Sequence, residues 1–186
     1  MSRPTETYSV DRATLNDILQ LISVDRAASA LFAPTGLLPP EALEDTVPHE
    51  VFAGAIPANE VFVSRIESGE PVGFTLTSQR GNGLYLDQIS VHPDHGKRGI
   101  GRALVETVIA DAKDRGLSRV TLSTFRDVAW NGPFYKKLGF SELPRNRFDD
   151  FMFEIEDAQR PLMDVTKRCF MERRVRKPIF RVRKGS

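Results

Sequence analysis

Glycines at 96, 99 and 101, spaced G-x-x-G-x-G, enclose Lys97, Arg98 and Ile100 and are followed by Arg102 and Ala103. Such a loop ahead of a helix turns consecutive backbone N–H groups toward one point at the positive end of the helix dipole, where a diphosphate can sit. A Cβ at these glycines would block the approach, and Lys97, Arg98 and Arg102 add charge for the same anion. A tight turn that only starts a helix would use the same residues. The spacing is neither the dinucleotide G-x-G-x-x-G nor G-x-x-x-x-G-K-[ST], which argues against a nicotinamide enzyme and removes the Mg-dependent nucleotide hydrolases. His92 and His95 flank the loop and read as loop or capping residues ahead of catalytic ones. Cys169 is the single cysteine, so neither an intramolecular disulfide nor a thiolate zinc site can form, and no metal is expected.

The elements that must hold this loop follow from periodicity. Residues 61–66 and 72–77 alternate with period two around a turn at 67–70, and 84–91 continues after a turn at 80–83, an antiparallel meander. The helix opened by the glycine loop carries Leu104, Val105, Val108, Ile109 and Ala112 on one face and stops near Gly116. Residues 120–124 read as a buried strand, so strand, helix and strand make a right-handed crossover that sets two strands parallel. Upstream, 8–10 is a strand, Thr14 with Asp17 caps a helix running toward Leu31, and a short helix through Leu43 and Val47 ends at Pro48. Downstream, a short helix spans 131–138, a strand begins at 140–143, a helix covers 147–158 in competition with a strand at 151–156, and 169–175 is the last strand.

A chain of 186 residues that is 40% apolar supports one core, and the reading is a single domain over 1–186. No run approaches the ~20 apolar residues of a membrane helix, and residues 1–11 lack the apolar stretch of a secretory signal, so a cytoplasmic protein is expected. The net charge of +1 divides into a basic end, with nine Lys or Arg and one Glu over 167–186, and an acidic body. That body would repel phosphates, so nucleic acid is not an expected partner, and 176–186 reads as a solvated basic tail.

Two runs carry a family resemblance. Residues 89–104, I-S-V-H-P-D-H-G-K-R-G-I-G-R-A-L, resemble the acetyl-CoA loop of GNAT-type N-acetyltransferases. Residues 130–140, W-N-G-P-F-Y-K-K-L-G-F, resemble the superfamily's second signature, an Asn followed by an aromatic pair on a short helix and a terminal Gly-Phe. The resemblance is firm over 61–143 and loose outside it. One position departs from it: the loop usually opens with Gln or Arg where this chain has Gly96. The backbone cradle does not need that side chain, and Lys97, Arg98 and Arg102 stand in for its charge.

The resemblance implies an α/β fold, a mixed and mostly antiparallel twisted sheet of about seven strands with a parallel, splayed pair in its middle and helices on both sides. It implies acetyl-CoA as cofactor and direct attack of a neutral primary amine on the thioester, with expulsion of the CoA thiolate. Backbone groups of Ile89, Ser90 and Val91 would pair with the pantetheine arm, and Gly96, Lys97, Arg98, Gly99, Ile100, Gly101, Arg102 and Ala103 would hold the diphosphate. Asn131 and Phe134 would touch the cofactor, or cap the helix and fill the core. Tyr135 stands where the general acid often sits, or packs as an aromatic against the cofactor. Asp87, which strand alternation places on one face with Tyr85 and Ile89 and opposite Gln88, is the candidate base or an orienting charge. Arg126, Asp127 and Trp130 line the acceptor side; Arg126 and Asp127 either bind substrate or pair together, and Trp130 either walls the pocket or is buried. The acceptor is a small-molecule or peptide amine and a homodimer is expected. The alternative is an acyl-CoA-binding module without turnover.

Overall fold

The computed structural model describes residues 7–175; the basic tail at 176–186 lies outside them. The strands are β1 (Ser9–Arg12), β2 (Val61–Arg65), β3 (Pro71–Arg80), β4 (Gly83–Val91), β5 (Arg119–Phe125), β6 (Ser141–Glu142) and β7 (Arg168–Arg174). They form one seven-stranded sheet in the order β1-β2-β3-β4-β5-β7-β6. The β4–β5 pair is parallel and every other neighbouring pair is antiparallel. The helices are α1 (Ile18–Ser29), α2 (Pro40–Glu44), α3 (His49–Ala55), α4 (Ile100–Asp114), α5 (Gly132–Lys137) and α6 (Asp150–Gln159). This is the expected mixed sheet with its parallel pair in the middle, and α4 is the crossover that makes the pair parallel.

Side-chain alternation divides the core between the two faces of the sheet. Leu104, Val105, Val108 and Ala112 of α4 bury against Leu84, Leu86, Val120 and Leu122. On the opposite face Leu21 and Val24 of α1 and Phe52 of α3 bury against Val61, Val63 and Phe74. Met152 of α6 joins Tyr85 and Phe170 in a third cluster. Each such side chain contributes roughly 1.5–3 kcal/mol relative to exposure, which is why the apolar stripe of α4 survives next to a glycine-rich start.

The upstream helices differ from expectation. Asp17 accepts from the Thr14 N–H and hydroxyl at 2.7 and 3.0 Å, but the capped turn is a 3-10 turn, Leu15–Asp17, from which α1 continues. Two guanidinium N–H groups of Arg65 clamp the same carboxylate at 2.8 and 2.7 Å and hold its pKa below the ordinary value, tying the helix start to β2. The helix expected through 43 and 47 stops at Glu44, and Pro48 does not end it. Pro48 instead precedes α3 as its N-cap, where a missing N–H costs nothing. Downstream, the helical spacing prevails over the strand alternative, because Met152 and Phe151 reach Tyr85 only from one helical face.

One buried polar group connects this upstream region to the middle of the sheet. Asp25 of α1, 2% exposed, accepts from the Val47 N–H at 2.9 Å, the Gln88 amide at 2.7 Å and the Ser90 hydroxyl at 2.7 Å. The connection between α2 and α3 is thereby pinned to β4. Asp25→Ala takes this acceptor from the buried Ser90 hydroxyl and from the half-buried Val47 N–H and Gln88 amide, and is expected to cost about 3 kcal/mol. Thermal unfolding followed by circular dichroism should show the melting temperature falling on the order of 10 °C.

Candidate active site

The register of β3 against β4 shifts between Leu76, opposite Gln88, and Thr77, opposite Leu86, so Asp87 is an extra residue in a β-bulge. The bulge resets which side chains share a face. Leu84 and Leu86 before it, and Ile89 and Val91 after it, all pack on the α4 side. Tyr85 packs on the α6 side, and Gln88 and Ser90 turn to Asp25 on α1. Strict alternation therefore misassigned two positions: Ile89 does not share the Tyr85 face, and Gln88 lies on that face with Tyr85.

Just past the bulge the sheet opens. Parallel pairing of β4 with β5 ends at Leu86–Leu122, while β4 stays with β3 as far as Val91 and β5 stays with β7 as far as Phe125. The His92 N–H bonds the Val72 carbonyl at 2.8 Å. By alternation the N–H and C=O groups of Ile89 and Val91 then point away from β3, into the gap. Ser90 is oriented the other way, with its backbone toward β3 and its hydroxyl on Asp25.

At the end of the gap the glycine loop starts α4. Lys97 and Gly99 take the left-handed conformation, with φ of 60° and 84°, and Gly99 is the N-cap. The helical ladder begins with the Ala103 N–H on the Gly99 carbonyl at 3.0 Å, leaving the N–H groups of Ile100, Gly101 and Arg102 ahead of it. A Cβ on Gly99 would meet no protein atom within 4 Å, so the side of the turn that glycine keeps bare is open space. Lys97, Arg98 and Arg102 are exposed around it, Arg98 donating to the Tyr8 hydroxyl at 2.9 Å and Arg102 3.6 Å from Glu106. His95 Nδ1 lies 3.3 Å from the same Tyr8 hydroxyl, and His92 accepts from the Asp94 N–H, so both imidazoles are engaged in the loop.

The second motif forms the other wall. A Cβ on Gly132 would lie 2.2 Å from the Arg126 carbonyl oxygen, so only glycine lets α5 start this close to the end of β5. Asn131 occupies the N-cap position, yet its side chain makes no cap hydrogen bond. Phe134 reaches across to α4, its Cζ 3.5 Å from where a Gly101 Cβ would stand, and Val91 Cγ2 is 4.0 Å from the same point. Tyr135 is 5% exposed between Phe134 and Phe140. Burial holds its phenol well above the ordinary pKa, and the Arg168 cation opposes the rise.

On the opposite side of the opening, Asp87 keeps contact with solvent. The protein around it still withdraws enough water to push its carboxyl up to about 6, Glu60 adding to the rise and the Ser78 hydroxyl and Arg80 opposing it. Trp130 is 45% exposed and stacks edge-on against Phe32, which also touches Phe125; burial in the core is not its state. Arg126 does not pair with Asp127. Its guanidinium bonds Glu142 at 3.0–3.3 Å and the Thr166 carbonyl at 2.8 Å, while Asp127 is exposed.

Three residues that the sequence reading did not select belong to this region: Phe32 from the 3-10 turn Ala30–Thr35, Tyr85 beside the bulge, and Arg168 at the start of β7. A period-two reading of the last strand puts Arg168 on one face with Phe170, the only signal it offers.

The sequence profile of the Acetyltransferase (GNAT) family matches residues 29–140. Mycothiol acetyltransferase of Nocardiopsis dassonvillei is 31% identical over 117 residues, covering 63% of this chain and 33% of the relative. The peptidyl-lysine N-acetyltransferase YjaB of Salmonella typhimurium is 30% identical over 101 residues, covering 54% of this chain and 63% of the relative. The chain thus spans a third to under two thirds of the curated relatives it matches. Among solved structures, the PaiA N-acetyltransferase of Thermoplasma acidophilum, crystallised with coenzyme A, superposes with a TM-score of 0.71 at 17% identity, over 90% of this chain and 99% of that one.

The close approach at Gly132 gives a direct test of how the two motifs are joined. Gly132→Ala is expected to force the β5–α5 junction apart, lowering the melting temperature by roughly 10 °C. It should also shift the fluorescence of Trp130, the one tryptophan in the chain.

Proposed function

The chain belongs to the acetyltransferase (GNAT) family, and on that premise we propose that it transfers the acetyl group of acetyl-CoA to a primary amine. The observation that carries this reading is the gap between β4 and β5, edged by backbone groups of Ile89 and Val91 and closed at one end by the bare N-terminal turn of α4. A strand-like ligand with amides along its length satisfies such edge groups, and a diphosphate suits the N–H groups at the helix start. In this reading Ile89 and Val91 hold the pantetheine arm. The turn from Gly96 to Ala103 holds the diphosphate with help from Lys97 and Arg98, and Asn131 and Phe134 complete the wall. The names of the relatives, a mycothiol acetyltransferase and a peptidyl-lysine N-acetyltransferase, support acetyl transfer without choosing the acceptor.

When bound, acetyl-CoA supplies a thioester whose carbonyl carbon accepts a neutral amine. The chain's residues have to remove a proton from the incoming amine and hold one for the departing sulfur. Asp87 takes the first role in this reading. A carboxyl raised to about 6 is ionised at neutral pH yet basic enough to accept a proton, which an ordinary aspartate is not. Tyr135 takes the second, since burial keeps its hydroxyl protonated at every working pH. The same reading treats 1–186 as one transferase domain acting in the cytoplasm as a homodimer. No helix among the described residues is long and apolar enough to cross a membrane.

The direct experiment incubates the protein with acetyl-CoA and a panel of amines and follows thiol release; no release from any amine, together with no coenzyme A binding by calorimetry, would refute the proposal. Gly99→Glu tests the cradle. It places a carboxylate in the open side of the turn at a backbone angle that disfavours any side chain, and it is expected to lower coenzyme A affinity at least about 100-fold. Asp87 carries a pH signature. Its carboxylate form is the active one, so kcat/KM should rise about tenfold per unit below pH 6 and level off above it. Asp87→Asn should remove that limb and lower kcat by roughly 10²–10⁴.

A further inference from the structure

A second chamber opens beside the acceptor side of the gap. It has a volume of about 370 Å³ and lies between β5, β7, α6 and the segment that leads into β7. Four arginines line it, and three of them are already neutralised. Arg126 pairs with Glu142 at 3.0 Å, and Arg145 and Arg160 both pair with Glu156, at 2.7 and 2.5 Å. Arg168 differs. Its Nε and Nη2 both donate to the Ser123 hydroxyl, at 3.2 and 3.1 Å, and its guanidinium carbon stands 4.8 Å over the Phe125 ring. No carboxylate among the described residues lies within ion-pair distance of it; the charged or ionisable groups that bear on it are Tyr85, Cys169 and Tyr135, all neutral at working pH.

Arg168 is half-buried, and a guanidinium withdrawn from water without a counter-ion is a cost to the fold. Arginine carries five N–H donors, and a single hydroxyl oxygen accepts from two of those on Arg168. Burial draws its pKa below the ordinary value, the expected response of a cation whose partner is missing. Its position is not remote from the chemistry proposed above. Arg168 pairs in register with Phe125, at the end of β5 where the strands have parted, and its charge is felt by the phenols of both Tyr85 and Tyr135.

We infer that Arg168 is a specificity-determining residue that receives the carboxylate of the acceptor, making the substrate class a small amine that also bears a carboxylate, such as a free amino acid. The inference rests on the acetyl-transfer reading for the identity of the amine, but not for the anion site itself. The planar fork of arginine matches a carboxylate with two parallel hydrogen bonds. At a water's share of about 30 Å³ per heavy atom, the chamber holds roughly a dozen such atoms, the scale of an amino acid and not of a folded protein surface. Arg126, Arg145 and Arg160 are balanced by Glu142, Glu156 and Asp157, so the charge the chamber offers an incoming anion is that of Arg168.

The test uses the full chain with the standard amino acids and their α-carboxamides as acceptors. The wild type should show kcat/KM at least about tenfold higher for the best amino acid than for its carboxamide, the size expected from a charge-assisted pair. In R168Q that ratio should fall to near one through a rise in KM for the acid, and R168K, which keeps the charge but loses the fork, should lie between. Calorimetric binding of the same amino acids without acetyl-CoA should weaken in R168Q, and the melting temperature of R168M should stay level or rise, because a half-buried cation without a counter-ion is removed. A ratio near one in the wild type, or a ratio unchanged in R168Q, would overturn the anchor while leaving acetyl transfer standing. Arg168-dependent amino-acid binding without transfer to any amine would retain the anchor and refute the transferase reading. A fall in melting temperature in R168M together with an unaltered ratio would make Arg168 a structural residue.

Discussion

The candidate site depends on one piece of backbone accounting. Strands β4 and β5 run parallel over four residue pairs, from Gly83–Arg119 to Leu86–Leu122, and then stop sharing hydrogen bonds although both strands continue. Buried backbone donors and acceptors without partners are rare in folded proteins because each costs about what a lost hydrogen bond costs. The bulge at Asp87 is the device that opens the edge: one additional residue bends β4 and returns Ile89 and Val91 to the α4 face. A binding slot made of main chain needs no particular side chains along its length, which is consistent with side chains there that serve the core.

The opening has to be held by something other than the sheet itself. On one side Asp25 fixes Gln88 and Ser90 and draws the α2–α3 connection against β4. On the other, Gly132 lets α5 seat directly on the end of β5, so that Phe134 touches the start of α4 near Val91. These contacts join the two sequence motifs, separated along the chain, into one wall. They also explain a division of labour. The α4 side supplies backbone and aromatic surface, while the opposite side carries the ionisable groups Asp87, Tyr85 and Arg168, each displaced from its ordinary pKa by loss of water.

Strand and helix periods made much of the architecture legible. The meander, the crossover helix and the final strand follow from spacings of two and three to four, because those elements bury one face each against a common core. Reading failed where a single residue broke the period. Alternation cannot reveal that Asp87 is inserted, so it put Ile89 with Tyr85 and sent Gln88 to the wrong face. Pro48 reads as a stop in isolation, and whether a proline ends one helix or precedes another depends on what packs next. For Arg126 the sequence left substrate binding and pairing with Asp127 equally open, whereas its guanidinium reaches Glu142 of β6, sixteen residues away.

The amino-acid sequence alone determined the order of elements, the glycine turn ahead of α4 and the family to which both motifs point, since these are local consequences of backbone freedom and apolar spacing. Which charges lack partners was decided only in three dimensions. Arg145 and Arg160 look no different from Arg168 in the sequence, yet the fold gives them a shared glutamate and gives Arg168 a hydroxyl and an aromatic face. Electrostatic pairing is a property of distance through space, and distance along the chain carries almost none of that information.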